Sequence, residues 1–111
     1  MKESELKICM NSVAGELGNL KGVKIKEVNE SYISFFCEKN FNIMFLNSIC
    51  DSIKSEYGDK ASAEITLQDG ICVLTFLAFE DINQVVMSFA SSVDAAACDY
   101  PKFYKLNKQE K

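Results

Sequence analysis

Apolar residues recur along this chain with two different periods, and the switches between them mark its elements. Leu6, Cys9, Met10, Val13, Leu17 and Leu20 fall three or four apart, which predicts an amphipathic helix with one buried stripe. Ser4 stands where an N-terminal cap belongs, and Gly18 and Gly22 bracket the stop. From Val23 to Val28 the period shortens to two, with Lys24 and Lys26 between apolar neighbours. Asn29-Glu30-Ser31 is turn chemistry. Tyr32 to Glu38 (YISFFCE) is rich in the aromatic and β-branched types that fit a pleated surface.

Between Lys39 and Tyr57 the two periods overlap. Ile43, Leu46, Cys50, Ile53 and Tyr57 mark a helix stripe, while Phe41, Ile43 and Phe45 alternate. Ser48 with Asp51 resembles a capping box. The reading favoured is a short third strand near Phe41 to Leu46 and a helix from about Ile49 to Tyr57; one long helix from Asn42 is the alternative. Gly58 ends the helix in either case. Ala63 to Leu67 and Ile71 to Phe79 read as strands joined at Gln68-Asp69-Gly70, and an Asp-Gly pair between apolar runs is a hairpin signal. Asp81 opens a last helix whose stripe is Ile82, Val85, Val86, Phe89, Val93, Ala96, Ala97 and Tyr100, stopped by Pro101. The order is α-β-β-(β)-α-β-β-α, an α+β fold with an antiparallel sheet of four to five strands and three helices. Residues 1–100 form one domain, followed by a lysine-rich tail over 101–111.

Two strands break the expected alternation of a sheet with one wet face. In Tyr32 to Glu38, Ile33, Phe35 and Cys37 lie on one side and Tyr32, Ser34, Phe36 and Glu38 on the other. In Ile71 to Phe79, Cys72, Leu74, Phe76 and Ala78 oppose Ile71, Val73, Thr75, Leu77 and Phe79. Either the helices cover both sides of the sheet, or the side holding Ser34 and Thr75 meets a partner chain. The second reading makes Tyr32, Phe36, Val73 and Leu77 the candidate partner-binding residues.

Composition narrows the chemistry. The 111 residues carry 16 acidic groups and 12 basic ones, a net charge of −4. All the positive charge is lysine. Pro101 to Lys111 holds Lys102, Lys105, Lys108, Lys111 and one glutamate, a balance of +3 that leaves −7 for residues 1–100. An acidic body argues against direct nucleic-acid binding, which needs a basic footprint, and suits solubility and basic partners. The absence of arginine removes the usual bidentate clamp for phosphate or carboxylate. Cys9, Cys37, Cys50, Cys72 and Cys98 each sit in an apolar stretch and none forms a CxxC pair. They read as reduced, buried thiols of a cytoplasmic protein. The charged N-terminus does not read as a signal peptide, and no apolar run approaches membrane-spanning length.

Catalytic constellations are hard to assemble. Without histidine the commonest general base is missing, and no cysteine has a basic neighbour in sequence to activate it. Glu80-Asp81 sits at a helix start and Glu27/Glu30 flanks a turn, neither a setting that splits two carboxyl pKa values. Gly15-Glu16-Leu17-Gly18 is formally a GxxG, but it lies within a helical stripe and holds a glutamate where a KH loop would clamp a nucleic-acid backbone. Zinc would need closely paired Cys or His. The expectation is a chain with no catalytic residues, metal or cofactor of its own.

YISFFCEKNFNIMFL (Tyr32 to Leu46) and the stretch from Ala63 to Tyr104, with ITLQDGICVLTFLAFED and a long amphipathic helix ending in CDYPKFY, resemble the type III secretion chaperone-like superfamily. The resemblance implies a non-enzymatic, dimeric protein that binds other polypeptides through apolar surface on its sheet and helices. LGNLKGVKIKEVNESYISF (Leu17 to Phe35) is similar to the roadblock family, whose usual last strand would fall near Gln84 to Ser91, although that segment has helical spacing here. The functional expectation is a homodimeric chaperone or adaptor. A small acidic inhibitor that blocks a toxin or a nucleic-acid-handling target, as phage anti-defence or immunity proteins do, is the alternative.

Overall fold

The computed structural model describes residues 4–39, 41, 43–79 and 81–96. The first helix, α1, spans Glu5–Gly18. Ser4 caps it, its hydroxyl accepting from the Lys7 N–H at 3.0 Å, which satisfies one of the N–H groups a helix start leaves unpaired. Cys9, Met10, Val13, Ala14 and Leu17 form its buried stripe. Strands β1 (Val23–Val28) and β2 (Tyr32–Cys37) follow as an antiparallel pair. Their turn is held by the Asn29 side chain, which accepts from the N–H groups of Ser31 at 2.7 Å and Tyr32 at 2.9 Å.

The third strand expected near Phe41 to Leu46 is not formed. Phe41 is buried, and the second helix, α2, already begins at Met44 and runs to Tyr57. Helical spacing wins because it places Leu46, Ile49, Cys50 and Ile53 on one buried stripe, which packs against β3 (Ala61–Gln68). A 3-10 turn at Gly58–Lys60 links the two. β3 and β4 (Ile71–Ala78) form the hairpin expected at Asp69-Gly70, paired without interruption from Ala61↔Ala78 to Gln68↔Ile71. Both turn residues have positive φ, +53° at Asp69 and +81° at Gly70, the conformation a tight two-residue hairpin demands.

The last helix, α3, covers Ile82–Ala96. The strand near Gln84 to Ser91 that the roadblock likeness implies is therefore helix. Val85, Val86, Phe89, Ala90 and Val93 are its buried positions, and the Phe89 ring meets Phe76 of β4 edge to face at 5.3 Å. Ala97, Tyr100, Pro101, Cys98 and the tail lysines lie outside the described residues.

The architecture is α+β, with a four-stranded antiparallel sheet in the order β1-β2-β4-β3. The core forms between one face of that sheet and the three helices: Ile33, Phe35, Cys72 and Leu74 are buried together with the stripes of α1, α2 and α3. A bulge in β1 keeps that face consistent. Ile25 pairs with Phe35 and Glu27 with Ser34, so Lys26 is the extra residue. Val28, opposite Ile33, thereby returns to the side of Val23 and Ile25.

Candidate protein-binding face

The other face of the sheet carries no described helix. Strand register lays it out in rows. Lys24 stands opposite Phe36, and Glu27 opposite Ser34, which in turn faces Val73 and then Thr66. Tyr32 faces Thr75 and then Glu64, and Leu77 faces Ser62. The four candidate residues Tyr32, Phe36, Val73 and Leu77 therefore share one surface, distributed over the two central strands. Phe36 is 41 % exposed and Leu77 56 %, while Tyr32, Ile71 and Val73 are half-buried. Phe79, one alternation beyond Leu77, is also exposed.

Ser34 lies in the middle of this surface. It is the one buried polar residue among those described, 5 % exposed, and its hydroxyl has no hydrogen-bond partner. Beside it an open depression of about 400 Å³ is lined by residues including Lys26, Glu27, Tyr32, Gln68 and Val73. The Tyr32 hydroxyl donates to Glu27 at 3.0 Å, tying the ring down across the end of β1. The face is thus apolar along its centre and polar at its edges, with Lys24, Glu27 and Glu64 on the outer strands.

The described thiols are on the opposite side of the sheet or between helices. Cys37 and Cys72 point toward the helix layer. Burial, with the neighbouring Cys72 thiol, pushes Cys37 up to about 12. Burial likewise pushes Cys50 up to about 11, aided by Asp51 and Glu64. Cys9 is raised by burial and by the carboxylates of Glu5 and Asp81. Thiols held protonated in this way are poor nucleophiles. Gly15 to Gly18 forms the end of α1, so the GxxG segment is helix rather than a backbone-gripping loop. Among the described residues no three His, Cys, Asp or Glu side chains stand close enough to hold a metal ion.

Comparison with protein-family models, with curated proteins and with solved structures finds no match. Sequence alternation found the central residues of the face, but missed the polar border of Lys24, Glu27, Ser62, Glu64 and Thr66, because only strand order shows which outer strands flank the apolar centre. No described helix is long and apolar enough to cross a membrane.

Proposed function

We propose that this chain is a non-catalytic protein-binding domain, a chaperone or adaptor, that engages another polypeptide through the open face of its sheet. The supporting observation is the one-sided helix layer. The three described helices pack on the Phe35/Leu74 side, so on the central strands Phe36 and Leu77 remain exposed and Val73 half-buried. Apolar residues spread along the central strands, with a polar border, are what a protein-binding surface presents. The raised thiol pKa values support a non-catalytic role, and the apolar setting of the described cysteines, three of them buried and Cys37 half-buried, supports a cytoplasmic location. No described cluster of carboxylates favours the acidic-inhibitor alternative.

The test is Leu77→Lys, compared with native protein and with Glu16→Lys on α1. Leu77→Lys should keep its circular dichroism and melting temperature, because a surface substitution stays within about 0.5 kcal/mol. It should also fail to retain whatever polypeptide native protein and Glu16→Lys both retain from native-source extract. Global unfolding of Leu77→Lys would place Leu77 in the core, and equal retention by all three proteins would place the binding surface elsewhere. Either result ends the proposal.

A further inference from the structure

The two edges of the sheet are unlike. β1 carries Lys24 and Lys26 and is bulged between Ile25 and Glu27, and both features obstruct the addition of another strand. β3 has neither. Its eight residues pair with β4 without a break, contain no lysine or proline, and include Leu67, which is 71 % exposed. No described strand lies beyond it.

The hydrogen-bond pattern shows which groups face outward. The Phe79 N–H donates to the Lys60 carbonyl at 3.0 Å, which makes that a bonded pair. Antiparallel alternation then turns the main chain of Ser62, Glu64, Thr66 and Gln68 toward β4, and that of Ala61, Ala63, Ile65 and Leu67 toward the open edge. A row of unpaired N–H and C=O groups on a straight strand is a template for pairing.

We propose that the occupant of this edge is a second copy of the chain, adding antiparallel, β3 against β3, to make one continuous eight-stranded sheet. This goes beyond the open-face reading and does not rest on it. Charge and strand length together select the register. A two-fold axis at Glu64 would set two carboxylates directly opposite each other, which is destabilising. An axis at Thr66 would set Ala61 and Ser62 opposite residues beyond the strand end, at Ile71 and Gly70, and so shorten the pairing. An axis at Ile65 sets Glu64 against Thr66, Ser62 against Gln68, and the exposed Leu67 against the small Ala63, so β3 is complementary to itself in that register. The area suffices as well. A strand of this length runs about 26 Å and a sheet with one helix layer is about 20 Å thick, so joining two edges buries on the order of 1,000 Å² in total, the threshold of a specific interface. The axis is normal to the sheet, so both open faces point the same way and merge into one surface of twice the width.

Light scattering on a size-exclusion column, run over a concentration series, is the first measurement. Native protein should give twice the 12.4 kDa chain mass. Leu67→Lys should give the monomer mass with unchanged circular dichroism, and Leu77→Lys should remain a dimer. Register is read by oxidative cross-linking in a Cys98→Ser background. Ile65→Cys should cross-link, because its Cα atoms face each other at about 5.5 Å, whereas Glu64→Cys and Thr66→Cys should not. A monomeric native chain, a dimer that survives Leu67→Lys, or a dimer that Leu77→Lys dissolves overturns the proposal. Cross-linking through Glu64→Cys in place of Ile65→Cys overturns the register.

Discussion

The sulfur atoms of Cys37 and Cys72 lie 3.8 Å apart across β2 and β4, on the helix side of the sheet. Burial, together with this contact, holds the Cys37 thiol protonated well above its ordinary value of 9.0. A folded-state pKa above the unfolded one means that the stabilising contribution is complete below pH 9 and is lost as pH climbs toward the folded value. Cys50 acts with the same sign, with a folded value of about 11. The urea midpoint should therefore fall as pH rises above about 9, and fall less steeply in Cys37→Ala. An identical decline in both proteins would show that this thiol is not what titrates.

Ser34 offers a case in which removing an atom should help. Its hydroxyl is buried without a partner, and an unsatisfied buried polar group costs about 1–3 kcal/mol. Ser34→Ala should raise stability by roughly 1 kcal/mol in urea unfolding, because the removed oxygen makes no bond and leaves little space. A loss of stability would mean that the hydroxyl has a partner in solution.

The two sides of β4 should respond very differently to substitution. Leu74 is fully buried beneath the helices, so Leu74→Ala should cost about 3 kcal/mol through lost burial and the cavity left behind. Leu77, three residues along and on the other face, should tolerate alanine within about 0.5 kcal/mol. Equal costs from urea titrations of the two variants would mean that the second face is covered as well.

The β3–β4 turn has a purely conformational sensitivity. A Cβ at Gly70 would touch nothing within 4 Å, but its φ is +81°. Gly70→Ala should therefore destabilise by about 1 kcal/mol through backbone strain alone. Gly15, within α1 and equally free of neighbours, should instead gain up to about 1 kcal/mol on substitution by alanine. Thermal melts of the two variants should move in opposite directions.

The hairpin and the outer helices were legible because their local signals agree with the tertiary outcome. Asp69-Gly70 supplies the positive φ values, and Ile82 to Val93 presents one stripe that α3 buries. The start of α2 was not legible, for a definite reason. Its N-cap position is Ile43, with no side-chain cap, so the usual start signal is missing, while Ser48 and Asp51 suggest a start more than a turn too late. The alternation of Phe41, Ile43 and Phe45 then imitates a strand. The candidate face was half legible. Apolar residues on both sides of Tyr32–Cys37 and Ile71–Ala78 announced that two faces need cover, but which face the helices take depends on how the connections cross the sheet. The β1 bulge was equally hidden, since Ile25 and Val28 share a side only once Lys26 is looped out.

That bulge has a consequence for how far association can go. With β1 obstructed by its lysines and its irregular register, the sheet has one end at which a strand can join and one at which it cannot. Two copies meeting through β3 use up the joining end of each, and both ends of the resulting sheet are then β1. In the proposed dimer growth would therefore stop at two, closing on itself where a chain with two open ends would extend into a filament.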